Sequence, residues 1–183
     1  MIPGIGSRSL TDGDWREIKS FTRDEVAAHC EDGAWQNIDA GSLYQLDAFA
    51  SYLVGTKRLI ESVSFMPTRN KDGIPTATWN TPETRAHSEK SMHYRGRAFD
   101  LMFPRNKLAT AWLTAVRCPK FGGLGAYPWR PDPGLHVDTR WVGDEEGGRG
   151  FRVFWYVNRG GDYIYLNSET EILDFLDFLR EAA

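Results

Sequence analysis

Apolar residues return every three or four positions in SLYQLDAFASYLV, placing Leu43, Leu46, Phe49, Ala50 and Leu53 along one side of a predicted helix. The helical pattern extends from Trp15 to about Val54, with Ile38-Asp39 leading into this run. Residues 62–66, SVSFM, form a short β-type run that ends at Pro67. From Arg69 to about Lys90 the chain is polar and broken by Gly73, Pro75 and Pro82, an irregular stretch of the kind that is usually either functional or mobile. Residues 97–103 read as a strand, and 105–118, after Pro104, as an amphipathic helix. Beyond Gly122-Gly123 the segments LGAYP, LHVDTRWV, FRVFWYVN and DYIYLN read as short strands, the last two joined by the turn Arg159-Gly160-Gly161-Asp162. Ser168-Glu169-Thr170-Glu171 has the form of a capping box, opening a helix with Ile172, Leu173, Phe175, Leu176 and Leu179 as its apolar stripe. The pattern predicts an α+β class, with helices packed on a mainly antiparallel sheet.

At 183 residues with 41% hydrophobic content, the chain has the size and composition of a single globular domain, 1–183. Lys+Arg 22 against Asp+Glu 25 leaves a net charge of -3, the wrong sign for a protein that binds nucleic acid by neutralising phosphates. No run approaches the ~20 apolar residues of a membrane span, and MIPGIGSRSLTDGDWREIK lacks the apolar stretch of a secretory signal. Cys30 and Cys118 are too few for a disulfide framework, and we read both as structural thiols.

Chemistry concentrates around two of the four histidines. In SMHYRGRAFD, His93 and Asp100 are separated by six intervening residues across Gly96, so the chain can turn back and bring imidazole and carboxylate to one point. In LHVD, period-two alternation puts His136 and Asp138 on one strand face. Two imidazoles and a carboxylate suit Zn²⁺ with one position left for water. The same ligands serve non-haem Fe(II). The usual iron order, H-x-D followed by a later histidine, is not met, since no histidine follows His136. His29 and His87 fall in no motif. Gly122-Gly123-Leu124-Gly125 is not a phosphate loop, because no Lys-Ser/Thr follows and the chain continues into a strand.

The string S-x-H-x-x-G-x-A-x-D, carried by Ser91, His93, Gly96, Ala98 and Asp100, followed by GGLGAYP at 122–128 and GLHVDTRW at 134–141, resembles the M15 family of zinc D-Ala-D-Ala carboxypeptidases and murein peptidases. FTRDEVAAHC at 21–30 is similar to that family's short N-terminal element, and the likeness runs from about Phe21 to Trp141. The resemblance implies a LAS-type fold of the Hedgehog and DD-peptidase kind, one Zn²⁺ held by His93, Asp100 and His136, and metal-activated hydrolysis of an amide bond in peptidoglycan peptides. It also implies a carboxylate general base, for which Asp138 is preferred and Asp132 is the alternative. Family members carry an acid or histidine two or three residues before the last zinc histidine, where this chain has Gly134 and Pro133. Their substrate-holding arginine follows the first strand, and its nearest equivalent here is Arg69, with Arg85 as substitute. Ser91 is expected to order its turn or touch substrate, and Tyr127 to line the site. The missing acid before His136 motivates a second expectation, an inactive metal-binding or wall-binding module of a phage particle or secretion apparatus. The chain is expected to be a monomer made in the cytoplasm; its place of action is left open between release by lysis, phage particle or non-classical secretion and a cytosolic enzyme acting on recycled muropeptides.

Overall fold

A computed structural model describes residues 8–28, 34–55, 64–65, 68–69, 75–76, 91–93, 95–140 and 152–181. The chain falls into two compact units, 1–52 with 67–99 and 53–66 with 100–183. The division runs through a helix and a strand, so His93 to Asp100 is one continuous stretch of chain.

In the first unit buried carboxylates, rather than apolar contacts alone, fix the loops onto the helices. Thr22 caps the short helix α1, Arg23–Ala27, by accepting from Glu25 N at 3.1 Å. Helix α2, Ala40–Gly55, buries Leu43, Leu46, Phe49, Ala50 and Leu53, as the spacing requires. Asp39 begins α2 by accepting from Ser42 N at 2.8 Å and Ser42 Oγ at 2.7 Å, while its own backbone N–H donates to Gly96 O at 2.9 Å. Asp47 accepts from the backbone of Lys19 and Ser20. Strands β2, Thr68–Arg69, and β3, Pro75–Thr76, pair antiparallel inside the stretch read as irregular.

The second unit carries a sheet of six strands, β1 Ser64–Phe65, β4 Ala98–Met102, β5 Gly123–Tyr127, β6 Gly134–Asp138, β7 Val153–Val157 and β8 Tyr163–Leu166. Their order across the sheet is β1-β4-β6-β5-β7-β8. β1 with β4, β5 with β6 and β7 with β8 are antiparallel, while β5 with β7 is parallel, so the sheet is mixed. Strand patterns cannot reveal that parallel pair, because the long connection from β6 to β7 brings the chain back beside β5.

Period two gives this sheet two unlike faces. Phe99, Leu101, Leu124, Ala126, Leu135, Val137 and Phe154 alternate onto one. Helix α3, Leu108–Arg117, and helix α4, Glu169–Glu181, pack there: Trp112 is fully buried, with ring centroids 6.3 Å from Phe154 and 5.2 Å from Phe175. Arg152 closes α3 by donating to the carbonyls of Ala115, Val116, Cys118 and Phe121. Glu171 and Ser168 make the expected reciprocal cap of α4, at 2.9 and 3.2 Å. Leu173 departs from the expected stripe and is 50% exposed, because only Phe175, Leu176 and Leu179 of that helix reach the core. The opposite face receives Asp100, Gly123, Gly125, Tyr127, His136, Asp138 and Trp155. Among the described residues no helix is long and apolar enough to cross a membrane.

Candidate metal centre

The first segment of the site is a turn. His93 O accepts from Gly96 N at 3.0 Å and Met92 O from Arg97 N at 2.8 Å, and Gly96 adopts φ 67°, a left-handed conformation that other residues rarely tolerate. Ser91 Oγ accepts from His93 N at 3.3 Å, a local bond within the turn. The turn feeds β4, whose alternation sends Asp100 toward the polar face while Phe99 and Leu101 go to the other.

β6 supplies the second segment. His136 Nδ1 lies 2.9 Å from Asp100 Oδ1, and His136 Nε2 lies 3.0 Å from Asp138 Oδ2. Both nitrogens of one buried ring therefore face carboxylates. Burial by itself lowers the imidazole pKa; the hydrogen bonds and charges of Asp100 and Asp138 outweigh it and raise the pKa to about 9. Asp138 shows the mirror image: burial raises its pKa, but bonds from His136 and Arg140 bring it down to about 2. Arg140 donates to Asp138 from Nε at 2.8 and 2.9 Å, from Nη2 at 2.6 Å and from its backbone N at 3.0 Å. The Asp138 side chain is 0% exposed.

Neighbouring strands make room for these groups by giving up side chains. Gly123 pairs with Asp138 and Gly125 with His136. A Cβ at Gly123 would meet Asp138 Oδ2 at 2.2 Å, and one at Gly125 would meet the Trp155 ring at 2.1 Å. The Trp155 ring lies against His136, with centroids 5.3 Å apart. The glycines read from the sequence as unrelated to phosphate therefore serve a close approach beneath the imidazole. Tyr127 is 5% exposed; burial first, then the charge and hydrogen bond of Asp100, push its hydroxyl pKa well above 10. Its hydroxyl supports Asp100, and Arg130 covers its ring at 3.9 Å.

His93, Asp100 and His136 are all buried and each offers a donor atom, the three lying within 4.8 Å of one another. Two donors at ~2.0–2.2 Å from one ion are at most roughly 4.4 Å apart, so the set fits a single metal with small adjustments. Neutral nitrogen and anionic oxygen donors match a divalent cation, and these three residues can hold one. Asp132 lies exposed between β5 and β6. Arg69 sits in β2 opposite Pro75, described by its backbone alone. Arg85, His29, His87, Cys30 and Trp141 lie outside the described residues. Sequence reasoning missed Arg140 as part of the site; the two-residue step from Asp138 to Arg140 is the one signal that could have found it. No protein-family model matches the chain and no curated protein matches it, so the site stands on its own geometry.

Proposed function

We propose that this chain is a zinc-dependent peptidase of LAS-type fold that hydrolyses an amide bond in peptidoglycan stem or cross-link peptides, with His93, Asp100 and His136 as the zinc ligands. The observation that supports it is the buried set of two imidazoles and one carboxylate, contributed by the same segments that carry the S-x-H-x-x-G-x-A-x-D and HVD motifs. Zinc bound by such a set supplies a water acidified from 15.7 toward about 7 and polarises a carbonyl. The protein's own groups do the rest. Asp100 is steadied by Tyr127, and His136 by Trp155. Asp138 is spent on Arg140 and His136, so the proton-accepting role goes to Asp132, whose exposed carboxylate can meet substrate and solvent. Arg69, or Arg85 in its place, binds the substrate carboxylate.

Metal analysis of the purified chain and the release of peptide products from purified murein test this reading. Bound zinc, product release, and loss of both in Asp100→Ala are expected. A chain that takes up no zinc and yields no product after zinc addition would overturn it. A second reading, a metal-binding wall module without turnover, is favoured by Gly134 and Pro133 standing where an acid would be. The two readings separate on Asp132→Ala: a peptidase loses about 10²-fold or more in kcat while keeping its zinc, whereas a binder has no turnover to lose.

A further inference from the structure

Asp138 is not required by the ligand set, and its burial needs an explanation. A carboxylate enclosed to 0% exposure is costly unless paired, and its neighbours are arranged to keep it there. Gly123 surrenders its side chain to leave space for it, and Arg140 holds both its oxygens. Asp138 Oδ2 then reaches the one ring nitrogen of His136 that does not face Asp100.

We propose, building on the zinc reading above, that Asp138 clamped by Arg140 is the positioning residue of this centre: it holds the Nε2 proton of His136, so that Nδ1 is the nitrogen offered to the metal beside Asp100. The chemistry follows from the acceptor. An ionised carboxylate has only lone pairs to offer, so a nitrogen 3.0 Å away must carry the hydrogen of that bond. Nδ1, 2.9 Å from Asp100 Oδ1, likewise carries a hydrogen toward its carboxylate when no metal is bound, and this is the proton a divalent ion held by Asp100 would displace, because Asp138, gripped through both oxygens by Arg140, keeps the one on Nε2. Arg140 turns this from a loose contact into a fixed one: without it the Asp138 side chain could rotate off the ring. The arrangement is a carboxylate–histidine–metal relay whose carboxylate is itself held by a guanidinium.

The test measures zinc affinity by chelator competition on the full chain and on Asp138→Asn, Asp138→Ala and Arg140→Met, together with ¹⁵N NMR of the His136 ring in the zinc-loaded protein. Zinc binding 10–100-fold weaker in both Asp138 variants is expected, with a smaller loss in Arg140→Met. The wild-type ring should show a slowly exchanging Nε2–H that is lost or exchanges fast in Asp138→Ala. Arg140 is 37% exposed, so its variant still reports if the buried Asp138 changes prevent folding. Folded variants that melt at lower temperature yet bind zinc as tightly, with the Nε2–H signal retained, would reduce Asp138 to a strand brace and overturn the proposal. A wild-type chain that binds no zinc would overturn the parent reading itself; unchanged affinity in Asp138→Asn overturns only this one.

Discussion

Along β4, β5 and β6 both faces of the second unit's sheet are buried, but they are built on opposite principles. Under α3 and α4, Trp112, Phe154, Phe175 and the alternating Leu and Val residues fill space with interchangeable apolar volume. Across the same strands, glycines, two aspartates, a histidine and a tryptophan meet in specific pairs, where each group depends on one partner. Apolar packing tolerates a lost atom at a graded cost, while a buried ion pair tolerates almost no loss of a member. The difference teaches that one face holds the domain together and the other holds a centre in place.

Breaking one residue on each face gives the largest effects and the sharpest contrast. His136→Ala leaves Asp100 and Asp138 facing each other across a hole; it should abolish zinc binding and turnover and cost about 3–5 kcal/mol, measured by metal analysis and chemical denaturation. Trp112→Ala should cost a similar ~3–5 kcal/mol in denaturation, yet retain the full complement of zinc at low temperature. Equal loss of zinc in both variants would mean that the faces are not separable.

A finer contrast lies within β5, where adjacent residues point to opposite faces. Gly125→Ala drives a methyl into the Trp155 ring and through it against His136; it should cost about 1–3 kcal/mol and weaken zinc binding. Ala126→Gly removes one buried methyl beneath α3 and loosens the strand, costing about 1 kcal/mol with zinc affinity unchanged. Thermal melts and chelator titrations on the two variants read both numbers.

These contrasts also explain how much could be read from the chain. Helix α2, β4, α3, the last four strands and α4 are legible because their apolar residues recur at 3.6 or 2, and the faces that pack on helices consist of little else. His93, Asp100, His136 and Asp138 are legible as chemistry because two short motifs carry them. The partnership of Asp138 is not, since it depends on which strand lies opposite: Gly123 and Gly125 acquire meaning only once β5 pairs with β6 in this register. The parallel β5–β7 pair, which brings Trp155 to the imidazole, follows from a long connection and leaves no local trace. In the first unit Asp14 reads as an ordinary polar residue before α1, although Arg8, Thr11 and Tyr44 all bond to it.

That Asp14 cluster extends the comparison to pH. Hydrogen bonds from Arg8 hold its carboxyl well below the usual carboxylate range, against a burial effect that raises it, with Thr11 and Tyr44 adding to the lowering. A depressed carboxylate contributes stability that is complete above its unfolded value of ~3.9 and is lost as pH falls toward the folded one. Stability of the wild type should therefore decline below about pH 4, and Asp14→Asn should flatten that decline while lowering stability at neutral pH by about 2 kcal/mol. Urea denaturation across pH 2–7 distinguishes the two. A wild-type curve as flat as that of the variant would mean that the cluster forms no differential bond.

The smallest effect belongs to a polar pair outside both buried regions. Ser168 and Glu171 cap α4 reciprocally on the surface, where water can replace either partner. Ser168→Ala should cost about 1 kcal/mol, the ordinary value of an N-cap, and the loss should appear as fraying of α4 rather than as any change in zinc affinity. Hydrogen exchange at Glu171 N, the amide that Ser168 Oγ accepts from, reads that fraying directly. α4 packs through Phe175 on Trp112 and Tyr156 of the apolar side, so loosening its first turn should leave His136 and Asp138 undisturbed. A drop in metal affinity from this surface cap would show that the helix-covered face transmits strain through the sheet, and that the two faces act as one.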